Sequence, residues 1–187
     1  MPGGKLSLPE SERLVLREWR EKDWPFFAAM NANPQVMRFF PGVMTDKDSL
    51  SMWNRMREEL DERGYGLYAV ELKHSGSLIG LLGFHWADFE ADFTPCVEIG
   101  WRLVTEAWGY GYATEGARAC LKHGFARFGF DRVYSFTACV NFPSQAVMQR
   151  VGMRKIAEFN HPKVAPDSIL YPHVLYVKDT FRKIERE

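Results

Sequence analysis

The sequence predicts an α/β domain, a mixed sheet with helices on both faces. Three observations carry this. Segments with strand and helix periodicity follow one another in the order β-α-α-βββ-α-β-α-ββ, which describes such a layered sheet. A meander of three strand-like segments occupies the centre, from Gly66 to Val104. After it, the stretch AWGYGYATE (Ala107 to Glu115) sets two glycines among aromatics where a helical pattern begins. The 187 residues suit one domain with a sizeable core, and 46% hydrophobic content excludes global disorder.

The elements follow in order. Residues 1–12 read as a flexible lead, 13–180 as the single domain and 181–187 as a tail. Arg13 to Arg17, RLVLR, alternates as a strand does. Asp23 is placed to cap a helix through about Asn31, with Pro25 tolerated in its first turn. Phe39-Phe40-Pro41-Gly42 is a turn. Thr45 or Asp46 opens a helix to about Arg63, with Leu50, Trp53, Met56 and Leu60 at helical spacing, and Gly64 ends it. Gly66 to Lys73, Leu78 to Ala87 and Pro95 to Val104 form the meander, its first turn at His74 to Ser77. A helix runs from about Tyr112 to Phe128. Arg132 to Val140 is apolar enough for a sheet interior. A helix from the Asn141-Phe142-Pro143-Ser144 turn to Gly152, then strands Met153 to Phe159 and Leu170 to Lys178, complete the order.

Charge and cysteine content narrow the function. Lys plus Arg equals Asp plus Glu, 24 each, so no overall field draws in nucleic acid and any anion site is local. Cys96, Cys120 and Cys139 lie apart in apolar segments, with no CxxC and no histidine at metal-ligand spacing. They read as reduced, buried thiols of a cytoplasmic protein, and no metal site is expected. MPGGKLSLPESERL lacks the apolar core of a signal peptide, and no apolar run approaches the ~20 residues that span a bilayer.

The glycine stretch is the strongest local signal. Gly-x-Gly lets main-chain N–H groups approach a ligand closely, and a helix N-terminus behind it favours an anion. A dinucleotide fingerprint fits poorly, because Thr114 holds its third glycine position and the stretch follows a meander rather than opening a βαβ unit. A nucleotide-hydrolase phosphate loop is excluded by the missing Gly-Lys-Ser/Thr. A tight turn without a ligand is the reading left for a lone Gly-x-Gly.

Three blocks together resemble the GNAT superfamily of acyl-CoA-dependent N-acyltransferases. Trp108-Gly109-Tyr110-Gly111-Tyr112-Ala113 falls on the family's Q/R-x-x-G-x-G/A loop, with Trp108 in place of Gln or Arg. The strand CVEIGWRL resembles the E-I-G-Y/W-x-L strand of the RimJ/RimL-type branch. Asn141, Ser144, Met148, Gly152 and Met153 resemble its N-x-x-S-x-x-V-M-x-x-x-G-M segment. The resemblance spans about Arg13 to Lys178. It implies the GNAT fold: a mixed, mostly antiparallel sheet of about seven strands, splayed between the fourth and fifth. It further implies acetyl-CoA as co-substrate, with pyrophosphate on the N–H groups of Gly109 to Ala113. Leu103 and Val104 fall where main-chain partners of the pantetheine arm would lie, and Asn141 where a side-chain partner would.

Direct acyl transfer to an amine requires a neutral amine, a polarised thioester carbonyl and a stabilised thiolate. Glu98 is the candidate base, directly or through water; its alternative is a salt bridge to Arg102 or another cation. Many family members place a Tyr proton donor seven residues after the Asn. Here that residue is Met148, which donates no proton. Ser144 is the substitute, with a plain helix N-cap as its alternative. His85, Phe39, Phe40 and Trp86 are weaker candidates for the acceptor pocket, and His161 and His173 weaker still. Tyr110 and Tyr112 either cover the cofactor or pack the loop. Specificity is expected in Phe39 to Met44, Ala87 to Pro95 and Asn160 to Tyr171. The expected acceptor is a peptide N-terminus or small amine, and the expected assembly a monomer or homodimer. A non-catalytic acyl-CoA-binding module and an interaction protein with an inherited fold are the rival readings.

Overall fold

RLVLR forms the first strand, β1 (Leu14–Arg17), with Leu14 and Leu16 buried and Val15 exposed. This is the computed structural model of the chain, and it describes residues 8–180. The expectations for residues 1–7 and 181–187 lie outside the described residues. Of the lead, Leu8 packs against the core and Glu10 bridges to Val15.

Arg17 is buried at the end of β1, and a guanidinium there needs carboxylates. It donates to Asp23 (2.6 and 3.0 Å) and to Glu71 (2.6 Å). Removing one partner of such a buried pair costs about 3–5 kcal/mol. This corrects the capping expectation for α1 (Trp24–Ala32): Asp23 holds the N-cap position but makes no side-chain cap bond. Its carboxylate serves Arg17 and the Arg20 N–H instead. Burial alone would raise the Asp23 pKa, but these bonds hold it below the usual range.

Helix α2 (Asp46–Arg63) opens on a capping box. Thr45 Oγ1 accepts from the Asp48 N–H, and the Asp48 carboxylate accepts from the Thr45 N–H. Gly64, at φ +73°, ends it. Trp53, Met56 and Leu60 are buried as expected, but Leu50 is exposed: the inward stripe starts at Ser49 and also contains Glu59.

Strands β2 (Leu67–Leu72), β3 (Leu78–Ala87) and β4 (Cys96–Leu103) form the meander. Helix α3 (Tyr112–His123) continues as a π-helical turn over Gly124–Phe128. β5 (Arg132–Ala138) stops before Val140 because the chain turns at Ala138 into α4 (Phe142–Arg150). β6 (Arg154–Asn160) and β7 (Pro172–Asp179) close the sheet, shifted one or two residues from their expected bounds. The strand order is β1-β2-β3-β4-β5-β7-β6.

All neighbours are antiparallel except β4 and β5. Trp19, Phe27, Met30, Trp53 and Met56 pack with Ala69 and Leu81 on the α1–α2 side. Tyr68, Leu82, Phe84 and Ile99 pack with Ala117, Cys120 and Met148 on the α3–α4 side. The alternation of Tyr68 with Ala69, and of Leu81 with Leu82, divides the sheet between these cores. β3 and β4 pair along their length, from Gly80–Leu103 to Ala87–Cys96, whereas β4 and β5 pair only at Glu98–Tyr134. Beyond that pair the two strands diverge. This is the splay expected between the fourth and fifth strands, and it positions the site.

Candidate active site

The fork between β4 and β5 opens a cavity of about 1620 Å³. It reaches from the glycine loop to Phe39, Phe40, His161 and His173.

At the loop, Gly109 and Gly111 have φ of +82° and +81°, a left-handed backbone that a side chain would strain. Gly111 is the N-cap of α3 and supplies no side-chain cap. The first-turn N–H groups of Tyr112, Ala113 and Thr114 therefore have no acceptor within the helix, and these residues line the cavity. A Cβ on Gly109 would meet no protein atom within 4 Å, so the space above it is open to a ligand. Arg118, Lys122 and Arg150 add positive charge to this end.

Residues that the sequence reading passed over brace the loop. Arg13 donates to the Tyr110 carbonyl (3.1 Å) and to Glu115 (2.6 Å), and its guanidinium lies over the Tyr112 ring. Glu115 also accepts from the Arg13 N–H and the Ser11 hydroxyl. Burial would raise the Glu115 pKa, but these bonds hold it below the usual range. In the sequence Glu115 closes the AWGYGYATE stretch, and nothing local pointed to Ser11 and Arg13 as its partners.

The predicted cofactor residues divide. Leu103, Trp108, Gly109, Gly111, Tyr112, Ala113, Asn141 and Ser144 line the cavity; Val104 and Tyr110 do not. Tyr110 stands outside, stacked on Tyr112 at 5.6 Å. The Leu103 carbonyl accepts from the Trp108 indole (2.8 Å), and Val104 is engaged by Ile79 and Ala107 through its main chain.

Ser144 is not the N-cap of α4. Asn141 is: its Oδ1 accepts from the Ser144 N–H (3.2 Å), and its Nδ2 donates to Thr137. The Ser144 hydroxyl accepts from the Trp101 indole N–H at 3.0 Å. Its own proton is thus left to point elsewhere, and the residue lines the cavity. Met148 is buried in the core.

Glu98 lines the cavity. No bridge joins it to Arg102, which donates instead to Asn31 Oδ1 at 2.5 Å. Burial pushes the Glu98 carboxyl up to about 7; His85 opposes the rise and Glu59 adds to it. His85 is its cross-strand partner. The His85 Nδ1 lies 2.7 Å from Glu59, the carboxylate in the buried stripe of α2, which also accepts from the Trp86 N–H. Burial pulls the His85 pKa down, but the hydrogen bond to Glu59 and the charges of Glu59 and Glu98 outweigh it and the pKa rises. Glu59 was missed in the sequence; the only signal was a carboxylate beside Leu60, one helical turn after Met56.

Phe40 and His85 line the cavity; Trp86 does not, its ring lying under the Arg63 guanidinium. The segment after α1 roofs the site. Arg38 lies over the Trp108 and Phe39 rings, and Phe39 packs with Val164 and Leu170. His161 and His173, low candidates in sequence, meet at 4.8 Å beside Phe159. Burial lowers both imidazoles, His161 to about 4. Among the described residues no group of three or more His, Cys, Asp or Glu is arranged to hold a metal ion, and no helix is long and apolar enough to cross a membrane. Cys96, Cys120 and Cys139 are free.

Comparison with known proteins agrees with this geometry. The family model described as "Acetyltransferase (GNAT) domain" matches residues 13–154. The uncharacterised N-acetyltransferase YnaD of Bacillus subtilis is 31% identical over 146 residues, covering 78% of this chain and 81% of that protein. A GNAT-family acetyltransferase structure from Bacillus anthracis superposes with a TM-score of 0.75 at 26% identity, over 92% of this chain and 98% of that one. RimL, a ribosomal L7/L12 α-N-protein acetyltransferase solved with coenzyme A, has the same fold (TM-score 0.74, 18% identity, 92% of this chain and 97% of that one). The chain belongs to the GNAT acetyltransferase family. It is an acetyltransferase built on a seven-stranded sheet parted between β4 and β5.

Proposed function

We propose that the protein is an acetyl-CoA-dependent N-acetyltransferase that acetylates a primary amine directly, either a peptide N-terminus or a small amine. The observation that carries this is the cavity linking the Gly109–Gly111 loop to Glu98 through the strand fork. Acetyl-CoA supplies the activated acetyl group. The open space above Gly109, the first-turn N–H groups of α3 and the cations Arg118, Lys122 and Arg150 fit its phosphates. Trp108, Leu103 and Asn141 flank its path, and the Ser144 hydroxyl serves the sulfur. The motifs of Val97 to Met153 fit the RimJ/RimL-like branch.

Glu98 takes the proton that makes the acceptor nitrogen nucleophilic; a carboxyl near 7 is suited to this at neutral pH. As the N–C bond forms and the C–S bond breaks, Ser144 donates a hydrogen bond to the departing sulfur, which ends with the second amine proton. His85, held by Glu59, keeps a positive field beside Glu98.

Calorimetric titration with acetyl-CoA tests the reading. Wild type is expected to bind, and Gly111→Glu to lose binding while staying folded, because it places a strained anion where the phosphates belong. Wild type that does not bind refutes the function. Binding without thiol release on any amine, unchanged in Glu98→Gln, marks a non-catalytic module.

A further inference from the structure

Glu98, Gly100 and Arg102 share one face of β4. Their Cα atoms span four residues, roughly 13 Å from Glu98 to Arg102. All three line the cavity, and the absence of a side chain at Gly100 leaves room over which the Glu98 carboxylate reaches, its Oε1 3.9 Å from where a Cβ would stand. At one end is the base proposed above. At the other, the guanidinium lies over the Phe40 ring, 4.3 Å from its centroid.

Arg102 is incompletely satisfied. Its Nη1 donates to Asn31 Oδ1 and approaches the sulfurs of Met44 and Met52. Its Nε is shut away from solvent with no hydrogen-bond partner. No carboxylate pairs with it, and burial alone moves its pKa, down to about 10. Arg17 is the contrast within the same chain: its Nε is likewise buried without a partner, but its Nη atoms hold two carboxylates, and those of Arg102 hold none among the described residues. A buried guanidinium without an anion is costly unless something else supplies one.

The surroundings repeat this imbalance. Lys163 and Arg38, the latter lying over both Trp108 and Phe39, also line the cavity and form no ion pair among the described residues. The carboxylate facing them there is Glu98, already assigned to the amine. A polycationic acceptor would meet three cations. An acceptor that carries its own anion would complete the site.

We infer that the acceptor amine bears an oxyanion, a carboxylate or a phosphate, which binds Arg102 above Phe40 while its nitrogen sits at Glu98. The inference rests on the acetyl-transfer reading and names its substrate class. A guanidinium fork suits both oxyanions, and Phe40 holds its plane.

The test uses ω-amino acids from glycine to 6-aminohexanoate, each beside its primary amide, with 2-aminoethyl phosphate and spermidine. Thiol release from acetyl-CoA is measured for wild type, Arg102→Met and Arg102→Lys. Wild type is expected to favour the acid over its amide by roughly tenfold to a hundredfold in kcat/KM at the best chain length, the range of one charge-assisted hydrogen-bonded contact. Arg102→Met is expected to bring that ratio near one, with Arg102→Lys between. Preference for 2-aminoethyl phosphate over every amino acid would identify the phosphate source; the reverse, the carboxylate. Acetyl-CoA affinity by calorimetry reports whether each variant is folded. If wild type fails to bind acetyl-CoA, the transfer reading fails. The same compounds are then titrated into the protein alone, where acid over amide affinity in wild type against Arg102→Met still reads the anion site. Equal use or binding of acid and amide by wild type, an acid preference undiminished in Arg102→Met, or efficient acetylation of spermidine would overturn the inference.

Discussion

Replacing Glu98 with Gln keeps the side chain's shape and removes its proton chemistry. Two effects of opposite sign follow. The first is on rate. With a carboxyl near 7, about half the protein holds Glu98 as a base at pH 7, and each pH unit below costs about tenfold in kcat/KM. Wild type should therefore gain activity as pH rises through about 7, and Glu98→Gln should lose that limb along with roughly 10²–10⁴-fold of the rate. The second effect is on stability. The group titrates at 4.5 ordinarily and near 7 in the fold. An acid whose folded pKa is raised favours the folded state when protonated, so its contribution is full below 4.5 and is lost as pH rises through 7. The difference amounts to at most about 3 kcal/mol above pH 8, and roughly half that with water in the cavity. Glu98→Gln should consequently be the more stable protein at pH 8.5 and no more stable than wild type at pH 4.5. Urea denaturation at the two pH values, beside pH–rate profiles by thiol release, reads both effects. A Glu98→Gln enzyme within tenfold of wild type, still showing the acid limb, would refute the base assignment. A stability difference independent of pH would refute the burial argument.

Ser144→Ala should lower kcat roughly 10- to 100-fold with little change in acetyl-CoA affinity, since it removes a donor to the departing sulfur. It also leaves the Trp101 indole N–H without its acceptor, costing about 1 kcal/mol in urea denaturation. Glu59→Gln should lower the His85 pKa, read by NMR titration, because the chief opposition to burial is gone. An unmoved His85 titration would show that Glu59 does not hold it.

The layered fold was legible because its cues are local. Period, turn residues and glycines marked nearly every element of the sheet, and Gly109 and Gly111 stand where the motif put them. What escaped was cross-chain. Asp23 reads as a cap until Arg17, six residues earlier, is seen to be buried and to need it. Ser144 reads as a cap until Asn141 is found in that role, with Trp101, from a different element, supplying the hydroxyl's partner. Glu59 reads as solvated surface unless the stripe Trp53–Met56–Leu60 is placed against His85 of β3. Arg102 reads as the natural partner of Glu98 four residues away, but both point along one strand face and the distance is too long for a pair. Helix and strand periods report on which side a residue lies, and say nothing of which side chain from elsewhere meets it there.

The roofing segment touches both halves of the cavity: Arg38 rests on Trp108 of the donor loop, and Phe40 lies under Arg102 on the acceptor side. Donor and acceptor therefore share one mechanical element. Any free energy that one ligand gains or loses by resetting this segment is returned, with equal size and sign, in the affinity for the other. Such a coupling has the same size whichever substrate binds first, and it would be carried by a few side chains of one short segment between two helices.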